Sequence, residues 1–215
     1  MKAVVFDLDG TLSDSILSIA YCANRALEKF GLQTFETDRY KYFVGDGAAE
    51  LIRRTLQNQP ESRMDLFEEV KEEYVKLFAV DCMYEVKPYE GIRELLAELK
   101  ERGIKITVLS NKPHFNTCKV IRDLFGEEMF DIVQGQTPEI QKKPSPDGVF
   151  LISEKLGIPV EEMLYVGDTN TDMQTGKSAG AFTVGVLWGF RDRAELEENH
   201  ADAIIAHPLE LLNYL

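Results

Sequence analysis

The sequence predicts an α/β fold: a mostly parallel sheet covered by helices on both faces, with a helical segment inserted after the first strand. Three observations carry that expectation. From about residue 86 onward, apolar runs of strand length alternate with helical patterns. Between the opening strand and that point the chain holds helical patterns but no convincing strand. The strand-like runs also end abruptly in polar residues, beginning with "VVFDLDGTLSDS" at residues 4 to 15, where an apolar run enters two aspartates separated by one leucine.

After that strand, "SDSILSIAYCANRALEKFG" places Ile16, Ile19, Ala23, Ala26, Leu27 and Phe30 at helical spacing, with Ser13 or Asp14 as N-cap and Gly31 as the stop. "DGAAELIRRTLQ" and "DLFEEVKEEYVKLFAV" continue the helical insertion, which is assigned to residues 15–85. Residues 1–14 and 86–215 form the sheet-bearing part. There a helix is expected at 89 to 102, a strand "IKITVLS" at 104 to 110 and a helix through "PHFNTCKVIRDLFG". The strand "FDIVQG" follows, then a helix opened by Ser145-Pro146 and closed by Gly157, as proline in the first turn and glycine past the end predict. "MLYVGD", a helix over 171 to 179, "AFTVGVL" and "ADAIIA" extend the alternation before a short last helix.

Composition narrows the function classes. Lys and Arg number 24 against 37 Asp and Glu, a formal charge of −13 with acids spread along the chain, which argues against a nucleic-acid surface. An anionic substrate would need a local cation to overcome that field. Cys22, Cys82 and Cys118 stand far apart without CxxC or zinc spacing, so reduced thiols in a cytosolic setting are expected. No apolar run approaches the ~20 residues that cross a bilayer, and "MKAVVFDLDG" turns acidic before a signal peptide could form its apolar segment. The expectation is a cytoplasmic monomer or homodimer with no membrane partner.

In parallel α/β sheets, ligands bind beyond the carboxyl ends of the strands. Those ends supply Asp7 and Asp9, Ser110 and Asn111, Lys142 or Lys143, and Asp168 with Asp172. Carboxylates gathered at one place repel and resist desolvation unless a cation neutralises them, and hard oxygen ligands suit Mg2+. Phosphate-ester hydrolysis needs a nucleophile, an acid and positive charge on the phosphoryl oxygens. Asp7 fits the nucleophile. Asp9 need not share its face if the strand breaks at Gly10, and fits an acid that later activates water. Ser110 and nearby backbone N–H groups fit the phosphoryl oxygens, with Asn111 beside them. Lys143 supplies fixed charge; it is preferred to Lys142 because the residue before proline is held extended. Asp168 completes the metal site, with Asp172 ligating directly or through water.

In chain order, "DLDGT", "SNK", "KPSP" and "GDTNTD" resemble the four motifs of the haloacid dehalogenase superfamily of aspartate-nucleophile phosphohydrolases. The resemblance spans the chain and implies a Rossmann-like core. It makes residues 15–85 a cap domain that closes over the site and reads the leaving group. It further implies that Mg2+ takes the backbone carbonyl of Asp9, that Lys143 is the motif lysine, and that Thr11 helps to hold the acid and the phosphoryl group. An acid at position 9 fits phosphatases and phosphomutases rather than dehalogenases.

"YFVGDGAAELIRR" and "VGVLWGFRDRAELEENHADAIIAHPLELL" resemble phosphoglycolate phosphatases. This implies 2-phosphoglycolate as substrate, with Gly45, Gly47 and Arg53 or Arg54 meeting a small carboxylate-bearing leaving group. The same segment also reads as a loop in which Gly45 or Asp46 caps a helix. A pyrophosphatase or other small-phosphoester phosphatase, a β-phosphoglucomutase-like phosphomutase, and a non-catalytic acidic metal- or phosphate-binding regulator are the alternatives.

Other motifs fail on their own terms. "GDTNTD" starts like a calcium loop, but Met173 stands where glycine is required and Ala179 where glutamate is. "TGKS" at 175 to 178 lacks the upstream glycine and strand of a phosphate-binding loop. Ser110 has no nucleophile elbow, and His114, His200 and His207 have no triad spacing. Trp188 is read as a packing residue or as part of the cap interface.

Overall fold

The computed structural model describes residues 1–215. Six strands form one sheet: β1 (Ala3–Phe6), β2 (Lys105–Pro113), β3 (Ile132–Gln136), β4 (Met163–Gly167), β5 (Phe182–Val186) and β6 (Ala203–Ile205). Their spatial order is β3-β2-β1-β4-β5-β6, and every pairing is parallel. The chain starts at the centre, builds one side, then crosses to the other. This is the doubly wound, Rossmann-like order, whose switch point lies beside β1. Ala3 pairs with both Lys105 and Met163, and Phe6 with both Val108 and Val166. All four β1 residues are buried. A strand covered on both faces has no use for alternation, which is why "AVVF" is an unbroken apolar run.

Residues 15–87 form one compact unit, and residues 1–14 with 88–215 form another. The first is helical: α1 (Ile16–Lys29), α2 (Thr37–Tyr40), α3 (Ala48–Gln57) and α4 (Phe67–Asp81). The residue preceding α1 is Ser15, not the expected Ser13 or Asp14, and its side chain makes no cap. Ser13 belongs instead to a two-residue strand, Ser13–Asp14, and its hydroxyl donates to the Leu8 carbonyl at 3.3 Å. The irregular stretch after α1 is pinned by Asn24, whose amide bonds both backbone groups of Phe35 at 2.9 and 3.0 Å. The rings of Phe35, Tyr40 and Phe43 meet edge to face around it.

The helices of the sheet unit are α5 (Ile92–Glu101), α6 (His114–Phe125), α7 (Asp147–Leu156), α8 (Asn170–Ala179) and α9 (Arg193–Glu198). Under one face of the sheet lie Val5, Leu109, Val149, Ile152, Met163 and Tyr165. Each fully buried aliphatic side chain there contributes about 1.5–3 kcal/mol. Two features depart from the sequence-based expectation. The short helix α9, capped by Asp192, was not anticipated, and β2 runs on to Pro113 rather than stopping at Ser110. No helix is long and apolar enough to cross a membrane.

Candidate active site

The site forms where β1, β2 and β4 end. The Asp7 amide still donates to the Val166 carbonyl at 2.9 Å, so this aspartate is fixed by the sheet itself. The chain then turns sharply. Gly10 has φ +91°, and a Cβ there would overlap the Asp168 carboxylate, so the turn requires glycine for both conformation and space. The turn sends the two aspartates of "DLDGT" to different partners. Lys143 Nζ lies 2.7 Å from Asp7 Oδ1, whereas Asp9 Oδ1 receives Lys112 Nζ at 2.8 Å.

Lys143 also lies 2.7 Å from Asp172 Oδ1, so one ammonium bridges two carboxylates. Its backbone is gripped by Asn111: the Asn111 amide donates to the Lys143 carbonyl at 3.1 Å, and the Lys143 N–H donates to Asn111 Oδ1 at 2.8 Å. Asp168 accepts from the Thr11 hydroxyl at 3.1 Å and from the Phe190 amide at 2.8 Å. Trp188 Nε1 donates to the Thr11 carbonyl at 2.9 Å, which holds the end of β5 against the turn after β1. Asp172 has a second task. Its Oδ2 accepts from the amide and hydroxyl of Thr169, closing a capping box at the start of α8.

Asp7, Asp168 and Asp172 each offer an oxygen within 4.8 Å of the others, and all three are buried. The Lys143 ammonium meets Asp7 and Asp172 directly but not Asp168, so negative charge exceeds positive within the cluster if all three carboxyls are ionised. Burial, reinforced by Asp172 and Asp168, pushes the Asp7 carboxyl well above its ordinary range despite the pull of Lys143. Burial and then Asp172 push Asp168 up to about 7, against the Phe190 amide, Thr11 and Arg191. Burial alone would lower the Lys143 pKa, but Asp172 and Asp7 hold it well above normal. A hard divalent cation fits this all-oxygen donor set and would offset its excess negative charge.

Several expected residues are engaged otherwise than the sequence suggested. The Thr11 hydroxyl serves Asp168, and the Asn111 amide serves the Lys143 backbone. Ser110 is buried and its Oγ accepts from the Lys112 amide at 3.2 Å. Lys142 is exposed while Lys143 is buried. In the helical unit, Arg54 donates to the Phe43 carbonyl at 3.0 Å and pairs with Asp46, while Arg53 pairs with Glu50 at 3.1 Å and lies over the Phe67 ring. Gly45 and Gly47 have φ of +115° and +87°, and Gly47 directly precedes α3 without a side-chain cap.

Sequence reasoning missed Lys112 and Tyr165. The first sits inside the quoted "SNK", where it reads as a solvated strand end. The second sits in the apolar run "MLYVG", where it reads as core, yet its hydroxyl lies 3.4 Å from Asp172 Oδ1.

Comparison with known proteins places the chain in a family. The profile of the haloacid dehalogenase-like hydrolases matches residues 4–186. A phosphoglycolate phosphatase of Neisseria meningitidis is 34% identical over 203 residues, covering 94% of this chain and 86% of its own. One from Aquifex aeolicus is 32% identical over 219 residues, covering 100% and 97%. Among solved structures, a Lactobacillus delbrueckii protein provisionally assigned as a phosphoglycolate phosphatase superposes with a TM-score of 0.92 at 27% identity, covering 99% of this chain and 97% of that one.

Proposed function

The chain belongs to the haloacid dehalogenase-like hydrolases and is a phosphoric monoester hydrolase; from that premise we propose that it hydrolyses 2-phosphoglycolate, with Mg2+, through a phosphoryl group carried on Asp7. The observation that carries the reading is the division of labour between Asp7 and Asp9. One joins a buried acidic cluster around Lys143, and the other, two residues later, stands outside that cluster on Lys112.

In the first half-reaction an Asp7 oxygen forms a bond to phosphorus as the ester P–O bond breaks, and Asp9 gives its proton to the departing oxygen. In the second, water attacks the same phosphorus, Asp9 takes the water proton, and the bond to Asp7 breaks to release inorganic phosphate. Lys143 holds Asp7 in place and offsets charge on the phosphoryl oxygens, with Ser110 and backbone N–H groups beside it. Asp7, Asp168 and the Asp9 carbonyl would hold Mg2+, which would supply the positive charge that lets an anion enter an acidic site. Asp172, occupied by Lys143 and Thr169, acts on that centre through its neighbours or through water. Gly45, Gly47, Arg53 and Arg54 are proposed to select the leaving group. For Arg54 the support is indirect, since it holds the loop that carries Gly45.

The test is phosphate release from a panel of small phosphate esters and pyrophosphate, with and without Mg2+, for wild type beside Asp7→Asn. Mg2+-dependent preference for phosphoglycolate, lost in the variant, is expected. Turnover unchanged in Asp7→Asn would overturn the mechanism, and preference for another ester would overturn the substrate alone.

A further inference from the structure

A lysine whose side chain is 2% exposed, placed against an acid that the reaction needs, calls for an explanation. Burying an ammonium is expensive unless a charged partner meets it. Lys112 meets the Asp9 carboxylate at 2.8 Å, and Asp9 lies outside the cluster around Lys143. Lys112 is itself firmly placed. Its amide donates to Ser110 Oγ at 3.2 Å, and its carbonyl accepts from Thr117 Oγ1 at 3.1 Å at the first turn of α6. Asp9, by contrast, sits just before Gly10, in a turn whose backbone adopts φ +91°.

We infer that Lys112 is a positioning residue: it fixes the Asp9 carboxylate by one oxygen so that the other carries the proton to the leaving group and from the attacking water. The inference rests on the proposed role of Asp9. An ammonium has no lone pair and donates only. It engages Asp9 Oδ1, and the proposed role gives the proton in transit to Oδ2. The pair does not change the bonding at phosphorus. It fixes the direction in which Asp9 gives and accepts, and misplacement of a catalytic group by about 1 Å is enough to lose on the order of 100-fold in rate.

The leaving group distinguishes this role from mere support. p-Nitrophenolate departs from phosphorus without a proton, whereas the alkoxide of 2-phosphoglycolate needs one. kcat/KM reports only the steps up to departure of the leaving group. In the Mg2+-loaded protein, Lys112→Met is expected to lose about 10- to 100-fold in kcat/KM on 2-phosphoglycolate and no more than about threefold on p-nitrophenyl phosphate, a pattern that Asp9→Asn should show in larger measure. Lys112→Arg, which keeps a cationic donor, should recover most of the loss. In an Asp9→Asn background, Lys112→Met should have little further effect on either ester. If Lys112→Met does not fold, as read by circular dichroism, Lys112→Gln takes its place. Its amide retains a donor, so the same selective loss is expected in smaller measure.

Equal losses on both esters, or additive losses in the Asp9→Asn background, would overturn the inference and leave Lys112 a structural or phosphate-contacting residue. If Asp9→Asn itself fails to discriminate between the esters, the role of Asp9 falls and the inference falls with it. If Asp9→Asn discriminates and the Lys112 variants do not, the inference alone fails.

Discussion

The Lys143 ammonium lies 2.7 Å from Asp7 although the two residues are 136 positions apart, and it holds Asp172 at the same distance. Its side chain is 3% exposed, and those of Asp7 and Asp172 are 9% and 1% exposed, so all three charges lie largely out of water. Removing the ammonium leaves two buried carboxylates facing each other. Lys143→Met is therefore expected to destabilise the metal-free protein by about 3–5 kcal/mol, read by chemical denaturation. Asp7→Asn in the same chain should restore part of that loss, because it removes one of the stranded charges. Independent, additive effects would show that the two residues are not coupled.

Asp7→Asn alone separates catalysis from stability. It removes the proposed nucleophile while keeping the side chain's shape. Turnover of any phosphate ester should fall by at least about 10³-fold. Because the fold disfavours the ionised Asp7 carboxyl, the neutral amide should raise the metal-free melting temperature at pH 8. A variant that is inactive and also less stable at that pH would contradict this electrostatic account.

The pH dependence follows from the same two acids. Asp168 is pushed up to about 7 from an ordinary value near 3.8, and Asp7 moves in the same direction. The folded chain thus holds these protons more tightly than the unfolded chain does. Their stabilising contribution is fully present below the unfolded value and is lost as pH rises through the folded one. In EDTA, the melting temperature should fall between pH 5 and pH 8, with a shallower fall in Asp7→Asn. Excess Mg2+ should flatten the wild-type curve by stabilising the ionised cluster. A metal-free melting temperature that is flat or rises over that range would sink the account.

The main architecture was legible because a centrally placed parallel strand is apolar on both faces and stops where the sheet stops. "AVVF" before Asp7 and "MLYVG" before Asp168 show this directly. What local pattern cannot show is which polar residue at a strand end turns inward. Lys112 follows two other polar residues and looks solvated, and its partner is 103 positions away. Asn111 sits in the expected region, yet its side chain serves a backbone on another segment rather than an open site. Asp172 was expected only as a metal ligand, direct or through water, and its capping box with Thr169 was not anticipated. Ser13, Asp14 and Ser15 all qualify as caps of α1 by type, but Ser13 and Asp14 are taken by a two-residue strand, which leaves Ser15 next to the helix.

Arg54 tests the proposed role of the helical unit. Its guanidinium ties the Phe43 carbonyl and Asp46 to α3 and so stiffens the segment that contains Gly45 and Gly47. Arg54→Met should increase amide hydrogen exchange in residues 43–47 with little change in the sheet unit. If that segment selects the leaving group, KM for the preferred ester should rise more than kcat falls. Faster exchange with unchanged kinetics would confine Arg54 to local structure and remove the segment from substrate recognition.

Gly10 offers the most direct link between backbone and chemistry. At φ +91° it lies in a region that residues with a Cβ rarely adopt, and a methyl group there would also meet the carboxylate of Asp168. Gly10→Ala can relax in two ways. If the backbone leaves the left-handed region, the turn opens, and Asp9 moves away from Lys112 while Thr11 moves away from Asp168. If the backbone stays, Asp168 must swing away from Thr11 and the Phe190 amide, leaving the acidic cluster incomplete. Either route is expected to destabilise the fold by about 1–3 kcal/mol and to weaken Mg2+ binding. The two can be separated by titrating Mg2+ by calorimetry beside the two-ester comparison. Loss of metal affinity with unchanged leaving-group selectivity points to displacement of Asp168, whereas loss of selectivity at saturating Mg2+ points to displacement of Asp9. A variant with wild-type stability, metal affinity and turnover would show that the turn does not need glycine after all.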